Sequence, residues 1–194
     1  MRAFVIAMDC EAECVRPYLG LNDRLYVSGI GKVNAAASTQ KAICEGSDEI
    51  WNIGLCGGFG SNVSAGGIFT IDRAVEYDFD LAMLNGTAVG VLNEYDTPYL
   101  PFEPVAGLPV RTLATGDRFT DSETDYALIT KELGASLRDM EGAAIAHVCK
   151  KAGVRCRAVK CVTNVAGCGL MTRQYEENKV RALARLSQAL GAFL

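Results

Sequence analysis

Apolar and polar positions along this chain fall into blocks, and the blocks alternate in length and period. Arg2-Ala-Phe-Val-Ile-Ala-Met8 is a continuous apolar run closed by Asp9, the pattern of a strand covered on both faces. Asp9 to Val15 then opens with acids, as the positive end of a helix favours. Arg24 to Ser28 reads as a second strand, and Lys32 to Cys44, rich in small residues, as a well-packed helix. Asp48 to Ile53 predicts a third strand that ends in Gly54-Leu-Cys-Gly-Gly58, too dense in glycine for a helix interior and expected to be a turn. Strands are expected again over Gly66 to Ile71 and Arg73 to Asp80. A loop-rich stretch then runs to Pro109, holds four of the five prolines and is the candidate lid or subunit contact. Val110 to Thr115 is strand-like, and Ser122 to Lys131 has a capping serine ahead of helical spacing. Leu137 starts a short strand that runs into an apolar helix, with Asp139, Met140 and Glu141 at the junction. Arg157 to Thr163 is the last strand, and Gln174 to Leu194 a closing amphipathic helix with Val180, Leu183, Leu186 and Leu190 on one side.

Strands alternating with helices imply an α/β chain: a three-layer α/β/α sandwich with helices on both faces of a mixed central sheet, formed by residues 1–194 as one domain. In such folds the carboxyl ends of the strands make the rim of the ligand crevice. Five strand ends then converge, bringing Glu11, Gly54 to Gly58, Phe119, Met140-Glu141 and Asn164 together. Taken singly, each has a plainer explanation. Glu11 is an ordinary first-turn glutamate, Asp139 a helix cap, Glu141 a complement to the helix dipole and Phe119 a plug for the core.

Composition narrows the chemistry. A chain of 194 residues, 49% hydrophobic and 22% charged, can bury a core without disulfides or metals. Nineteen basic against 23 acidic side chains leave a formal charge of -4, and the basic clusters at Lys150-Lys151 and Arg155/Arg157 are too short for a phosphate track. Neither a nucleic acid nor a membrane is therefore expected as partner. The chain opens as a strand rather than a basic and apolar leader, so its eight cysteines are expected as reduced thiols in a cytoplasmic protein. Cys10/Cys14 and Cys156/Cys161/Cys168 form no C-x-x-C pair, and the one histidine, His147, is distant in sequence, so no metal site is expected. Gly54-Leu-Cys-Gly lacks the Lys-Ser/Thr of a P-loop, and no G-x-G-x-x-G opens a helix after it, which removes ATP and NAD as favoured cofactors. His147 sits well inside its helix, away from any serine at the rim, so triad chemistry is not expected. General acid/base hydrolysis or transfer on a neutral, partly aromatic small molecule is what remains.

Six motifs in order carry a resemblance: Ala7-Met-Asp-Cys-Glu11, Ser28-Gly-Ile-Gly-Lys32, Asn52-Ile-Gly-Leu-Cys-Gly-Gly58, Thr115-Gly-Asp-Arg-Phe119, Asp139-Met-Glu-Gly-Ala-Ala-Ile-Ala-His147 and Val162-Thr-Asn-Val-Ala166. Together they resemble the nucleoside phosphorylase/nucleosidase superfamily, closest to methylthioadenosine/S-adenosylhomocysteine nucleosidases, with features of futalosine hydrolases. The resemblance implies a partly barrel-like sheet and no cofactor. It also implies a homo-oligomer, a dimer favoured, in which a neighbour's loop closes the end of the pocket that holds the 5′ substituent. Residues 93–109 are the candidate for that contact. The implied reaction is cleavage of a purine N-glycosidic bond through an oxocarbenium-like transition state. Glu11 matches the water-activating glutamate and Glu141 the acid that binds the ribose hydroxyls, where a carboxylate stabilises a developing sugar cation. Met8 and Met140 match residues packing on the ribose, bordered by Leu55, Cys56 and Gly57. Phe119 matches the ring stacked on the purine, with the backbone at Thr120 reading its edge.

Two departures refine what the resemblance implies. Phosphorylases carry an arginine before the glycine stretch and a serine within it. This chain has Asn52 and Leu55, leaving Arg24 and Lys32 as the cations to meet a phosphate, so water is the expected acceptor. The methylthioadenosine enzymes have an aspartate, which protonates adenine N7, where this chain has Asn164. An asparagine amide instead donates to a 6-oxo group and accepts from a protonated N7, as in futalosine hydrolases. The expectation is a purine nucleosidase with a 6-oxopurine lean. Methylthioadenosine/S-adenosylhomocysteine hydrolysis is the first alternative, an inactive nucleoside-binding relative or a phosphorylase the second.

Overall fold

A computed structural model describes residues 1–119 and 122–194. Its strands are β1 (Arg2–Ile6), β2 (Arg24–Val27), β3 (Glu49–Gly58), β4 (Ile68–Glu76), β5 (Leu100–Pro101), β6 (Val110–Thr115), β7 (Leu137–Asp139) and β8 (Arg155–Val165). Its helices are α1 (Asp9–Val15), α2 (Lys32–Cys44), α3 (Ala82–Asn85), α4 (Glu123–Ala127), α5 (Gly142–Ala152) and α6 (Met171–Leu190). β3 pairs with β8, β8 with β4, β4 with β6, β6 with β7, and β7 back with β3, which closes five strands into a small barrel. β1 and β2 extend the sheet beyond the first half of β3, and β5 pairs with β4.

Two helical layers explain the apolar runs. α2 and α5 cover one face, Ala35, Ala42, Ile145 and Cys149 sharing a core with Val5, Ile50 and Leu113. α1 and α6 cover the other, Ala12, Val15, Leu186 and Leu190 packing with Phe4, Ile53 and Val159. Successive strand residues point to opposite faces, so Phe4 and Val5 both find an apolar neighbour, and the run shows no alternation. A third core joins Phe59 and Tyr77 to Ile129 and Leu133, in and just after the helical turn Leu128–Glu132 that follows α4. No helix among the described residues is long and apolar enough to cross a membrane.

Three expectations are corrected. Gly54 to Gly58 is not a turn: it is the second half of β3, hydrogen-bonded to β8 along its length and to β7 at Gly57 and Gly58. Partners on both edges supply what its glycines lack in strand preference. β1 ends at Ile6, so Met8 stands at the N-terminus of α1 rather than inside the strand. The apolar stripe of α6 is Met171, Ala182, Leu186 and Leu190 with Leu183 partly buried, whereas Val180 is 78% exposed. At about 100° per residue Val180 lies roughly 120° around the helix from Leu186, off the covered stripe.

Candidate active site

One cavity of about 480 Å³ opens at the carboxyl ends of β1, β3, β6, β7 and β8. Nine of the residues singled out from the sequence border it: Met8, Glu11, Leu55, Cys56, Gly57, Phe119, Met140, Glu141 and Asn164. Thr120 lies outside the described residues. His147 does not border it and faces Glu76 and Glu94 at 4.0 and 3.5 Å.

Glu11 is buried and lies across β3. Its Oε2 accepts the Met8 N–H at 3.1 Å, the usual reach of a first-turn glutamate back to the helix start, while its Oε1 accepts the Leu55 N–H at 2.7 Å. The plain structural explanation of this residue therefore accounts for one oxygen and not for the other. The crossing requires glycine at position 54, where a Cβ would stand 2.6 Å from Glu11 Oε1. Burial raises the Glu11 carboxyl above the usual range, against the opposing Leu55 N–H and Lys160 ammonium. Such a carboxylate takes up a proton more readily than one in water.

Asp139 and Glu141 share the β7–α5 junction but do different things. Asp139 spends both oxygens on the scaffold: Oδ1 accepts the Thr115 hydroxyl at 2.6 Å, and Oδ2 accepts the Gly142 N–H at 2.9 Å and pairs with Lys160 Nζ at 2.8 Å. It caps α5 and ties β6, β7 and β8 together. Glu141 is held by the N–H groups of Gly31 at 2.9 Å and Met140 at 3.3 Å, which fix one lone pair on each oxygen. Burial, and then the neighbouring Asp139 charge, raise its carboxyl to about 7.

Lys160 offsets these charges and was not singled out from the sequence. Burial alone would lower its ammonium, but Asp139, Glu141 and Glu11 together raise it. A single lysine in the apolar run Ala158-Val-Lys-Cys-Val162 was the signal: a charge in a strand covered on both faces needs a partner. Arg118, Arg138, Thr172, Tyr175 and Glu176 also border the cavity without having been singled out.

At the other end Asn164 is buried, its Oδ1 2.8 Å from the Thr163 hydroxyl and its Nδ2 3.3 Å from Met171 Sδ. A Cβ at Gly57 would come within 3.2 Å of that amide nitrogen. Phe119 is half exposed at the cavity edge rather than plugging the core, and meets Tyr175 edge to face at 6.0 Å. Tyr175 also directs its hydroxyl toward Met8 Sδ at 3.8 Å, so the first turns of α6 brace both ends of the cavity. Arg24 and Lys32, the two cations considered for phosphate, are engaged outside it. Arg24 meets Glu45 at 3.4 Å, and Lys32 pairs with Glu76 at 3.0 Å and Asp78 at 2.6 Å.

Comparison with known proteins agrees with this architecture. The family model described as the phosphorylase superfamily matches residues 23–194. A 5′-methylthioadenosine nucleosidase of Arabidopsis thaliana is 33% identical over 152 residues, covering 75% of this chain, which spans 55% of that protein's length. A futalosine hydrolase of Thermus thermophilus is 29% identical over 176 residues, covering 84% of this chain and 78% of that one. Among solved structures, a 5′-methylthioadenosine/S-adenosylhomocysteine nucleosidase of Helicobacter pylori superposes with a TM-score of 0.87 over 98% of this chain and 96% of that one, at 19% identity, a likeness of fold. The barrel, the cavity at its strand ends and the extent of the family match lead to one assignment: the chain belongs to the phosphorylase superfamily.

Proposed function

We propose that this chain hydrolyses the N-glycosidic bond of a purine nucleoside, with 6-oxopurines preferred. Glu11 takes a proton from the attacking water, and Glu141 accepts from the ribose hydroxyls and faces the oxocarbenium-like sugar as charge develops. Met8 and Met140 pack against the ribose beside Leu55, Cys56 and Gly57. Phe119 stacks on the base, and Asn164 reads its edge.

The observation that carries the reading is the separation of acids from amide along one strand. Glu11 is tied to the Leu55 N–H and Asn164 abuts Gly57, two residues and roughly 7 Å further along β3. A nucleoside lying along β3 would meet carboxylates at its sugar and a neutral amide at its base. Water is favoured over phosphate because Glu11 and Glu141 would repel an anion, while Arg24 and Lys32 are committed elsewhere.

Hydrolysis of methylthioadenosine or S-adenosylhomocysteine is the second reading, favoured by the name of the Arabidopsis relative. Asn164 separates the two, having no proton for adenine N7. The test is release of base from inosine, futalosine and 5′-methylthioadenosine, with and without phosphate, followed by chromatography. Hypoxanthine release independent of phosphate is expected. Preference for methylthioadenosine would sink the argument from Asn164, and dependence on phosphate the argument for water. Asn164→Asp is expected to shift activity toward 6-aminopurines.

A further inference from the structure

α2 begins without a cap of its own. Its first residue, Lys32, follows Gly31, which has no side chain to accept the free N–H groups of the first turn. A carboxylate from another element does so: Asp117, just past β6, accepts the Lys32 N–H on Oδ1 at 2.8 Å. The Asp117 N–H in turn donates to Oδ2 of Asp78, just past β4, at 2.9 Å, and Asp78 Oδ1 takes Lys32 Nζ at 2.6 Å. Three residues from distant parts of the chain thus close a ring in which Lys32 engages both its backbone and its side chain. Glu76 adds a second acid to the same ammonium at 3.0 Å.

Most of this ring is withdrawn from solvent. The side chains of Lys32, Asp78 and Glu76 are 19%, 17% and 11% exposed, so their attraction is less screened than that of a surface pair. Burial by itself would lower the Lys32 ammonium, but Asp78 and Glu76 together raise it. Lys32, Glu76, Asp78 and Asp117 all stand outside the cavity, whereas the residues beside them in the chain reach it. Ile30, Arg118 and Phe119 border it, and the Gly31 N–H holds Glu141 Oε1 at 2.9 Å. The N–H groups of Gly31 and Lys32 are consecutive, one given to the acid of the site and the next to the ring.

We propose that Lys32 is a positioning residue: through the ring with Asp78 and Asp117 it keeps the Gly31 N–H on Glu141 and the Arg118-Phe119 segment at the cavity edge. This role rests on the proposed hydrolysis, in which Glu141 faces the ribose. A carboxylate held by two N–H groups, those of Gly31 and Met140, points its remaining lone pairs in fixed directions. Loss of one of them lets the group turn and makes its charged form less favourable.

The pH dependence of base release provides the test. Wild type, Lys32→Met and Asp117→Ala are compared on whichever of inosine, futalosine and 5′-methylthioadenosine the wild type cleaves. Glu141 is faced by Asp139, Glu11 and Lys160, and the Gly31 N–H is among the groups that lower its carboxyl. Since Glu141 acts in its charged form, loss of that N–H should move the midpoint of the kcat profile upward from about 7 by at least about half a pH unit in both variants. At pH 7 kcat should fall roughly tenfold. The two substitutions remove charges of opposite sign. Acting through space alone, Lys32→Met would raise the midpoint and Asp117→Ala would lower it. Opposite shifts, or a midpoint that stays at the wild-type value in either variant, would overturn this inference and leave the proposed hydrolysis standing. A wild type that releases base from none of the three substrates would overturn the proposed function and this inference together. Should Lys32→Met fail to fold, Asp117→Ala decides, because Asp117 is exposed and its loss leaves Lys32 paired with Asp78 and Glu76. An upward shift then supports the role, and a downward or absent shift refutes it.

Discussion

Replacing Glu141 by glutamine separates what its buried charge costs from what it does. Glu141 is 7% exposed and titrates at about 7 instead of the usual 4.5, raised first by burial and then by Asp139, with Lys160 and the Gly31 N–H opposing. Its proton is therefore held more tightly in the folded chain than in the unfolded one. That binding favours folding below the unfolded value and is lost as pH rises through about 7. At about 1.4 kcal/mol per pH unit, the loss comes to about 3 kcal/mol. Glutamine keeps an oxygen for the Gly31 N–H and has no charge to bury. In urea unfolding of both proteins, the variant's stability relative to wild type should rise by about 3 kcal/mol between about pH 4 and about pH 8.5, then level off. Parallel stability profiles would refute the view that Glu141 ionises at a cost to the folded protein. Activity should move the other way. Wild-type base release should increase as pH rises through about 7, while the variant, without a charge beside the sugar cation, should lose roughly 100- to 1,000-fold in kcat.

Three further outcomes are expected. Glu11→Gln keeps an acceptor for the Leu55 N–H but no base; hydrolysis should fall at least about 100-fold while calorimetry still detects bound nucleoside, and undiminished turnover would remove Glu11 from the chemistry. Lys160→Met leaves Asp139 buried without its cation and should destabilise the fold by about 3–5 kcal/mol in urea unfolding, part of it recovered by adding Asp139→Asn. Gly54→Ala brings a Cβ to within 2.6 Å of Glu11 Oε1; the carboxylate must move, and kcat should drop about tenfold or more, a result excluded if single-turnover rates match wild type.

The order and type of most elements were legible in the sequence because they depend on local pattern. Unbroken apolar runs marked strands covered twice, acids marked the start of α1, and the ends of successive strands marked the cavity rim. The cavity residues that a linear reading could name, Met8, Glu11, Phe119, Met140, Glu141 and Asn164 among them, each stand just past or near the end of a strand, whereas Thr172, Tyr175 and Glu176 come from α6. Pairing is what the linear reading could not supply. Gly54 to Gly58 has the local chemistry of a turn and becomes a strand because β8 and β7 offer hydrogen bonds from distant parts of the chain. Register across those strands aligns Arg138, Gly57 and Asn164, and packing across the barrel surrounds Lys160 with Asp139, Glu141 and Glu11. The sequence by itself determined which residues could carry charge and the order in which most strands and helices follow one another. Only the tertiary structure decided which charges meet and in how dry a setting, because desolvation and Coulomb energy depend on distance through space rather than along the chain.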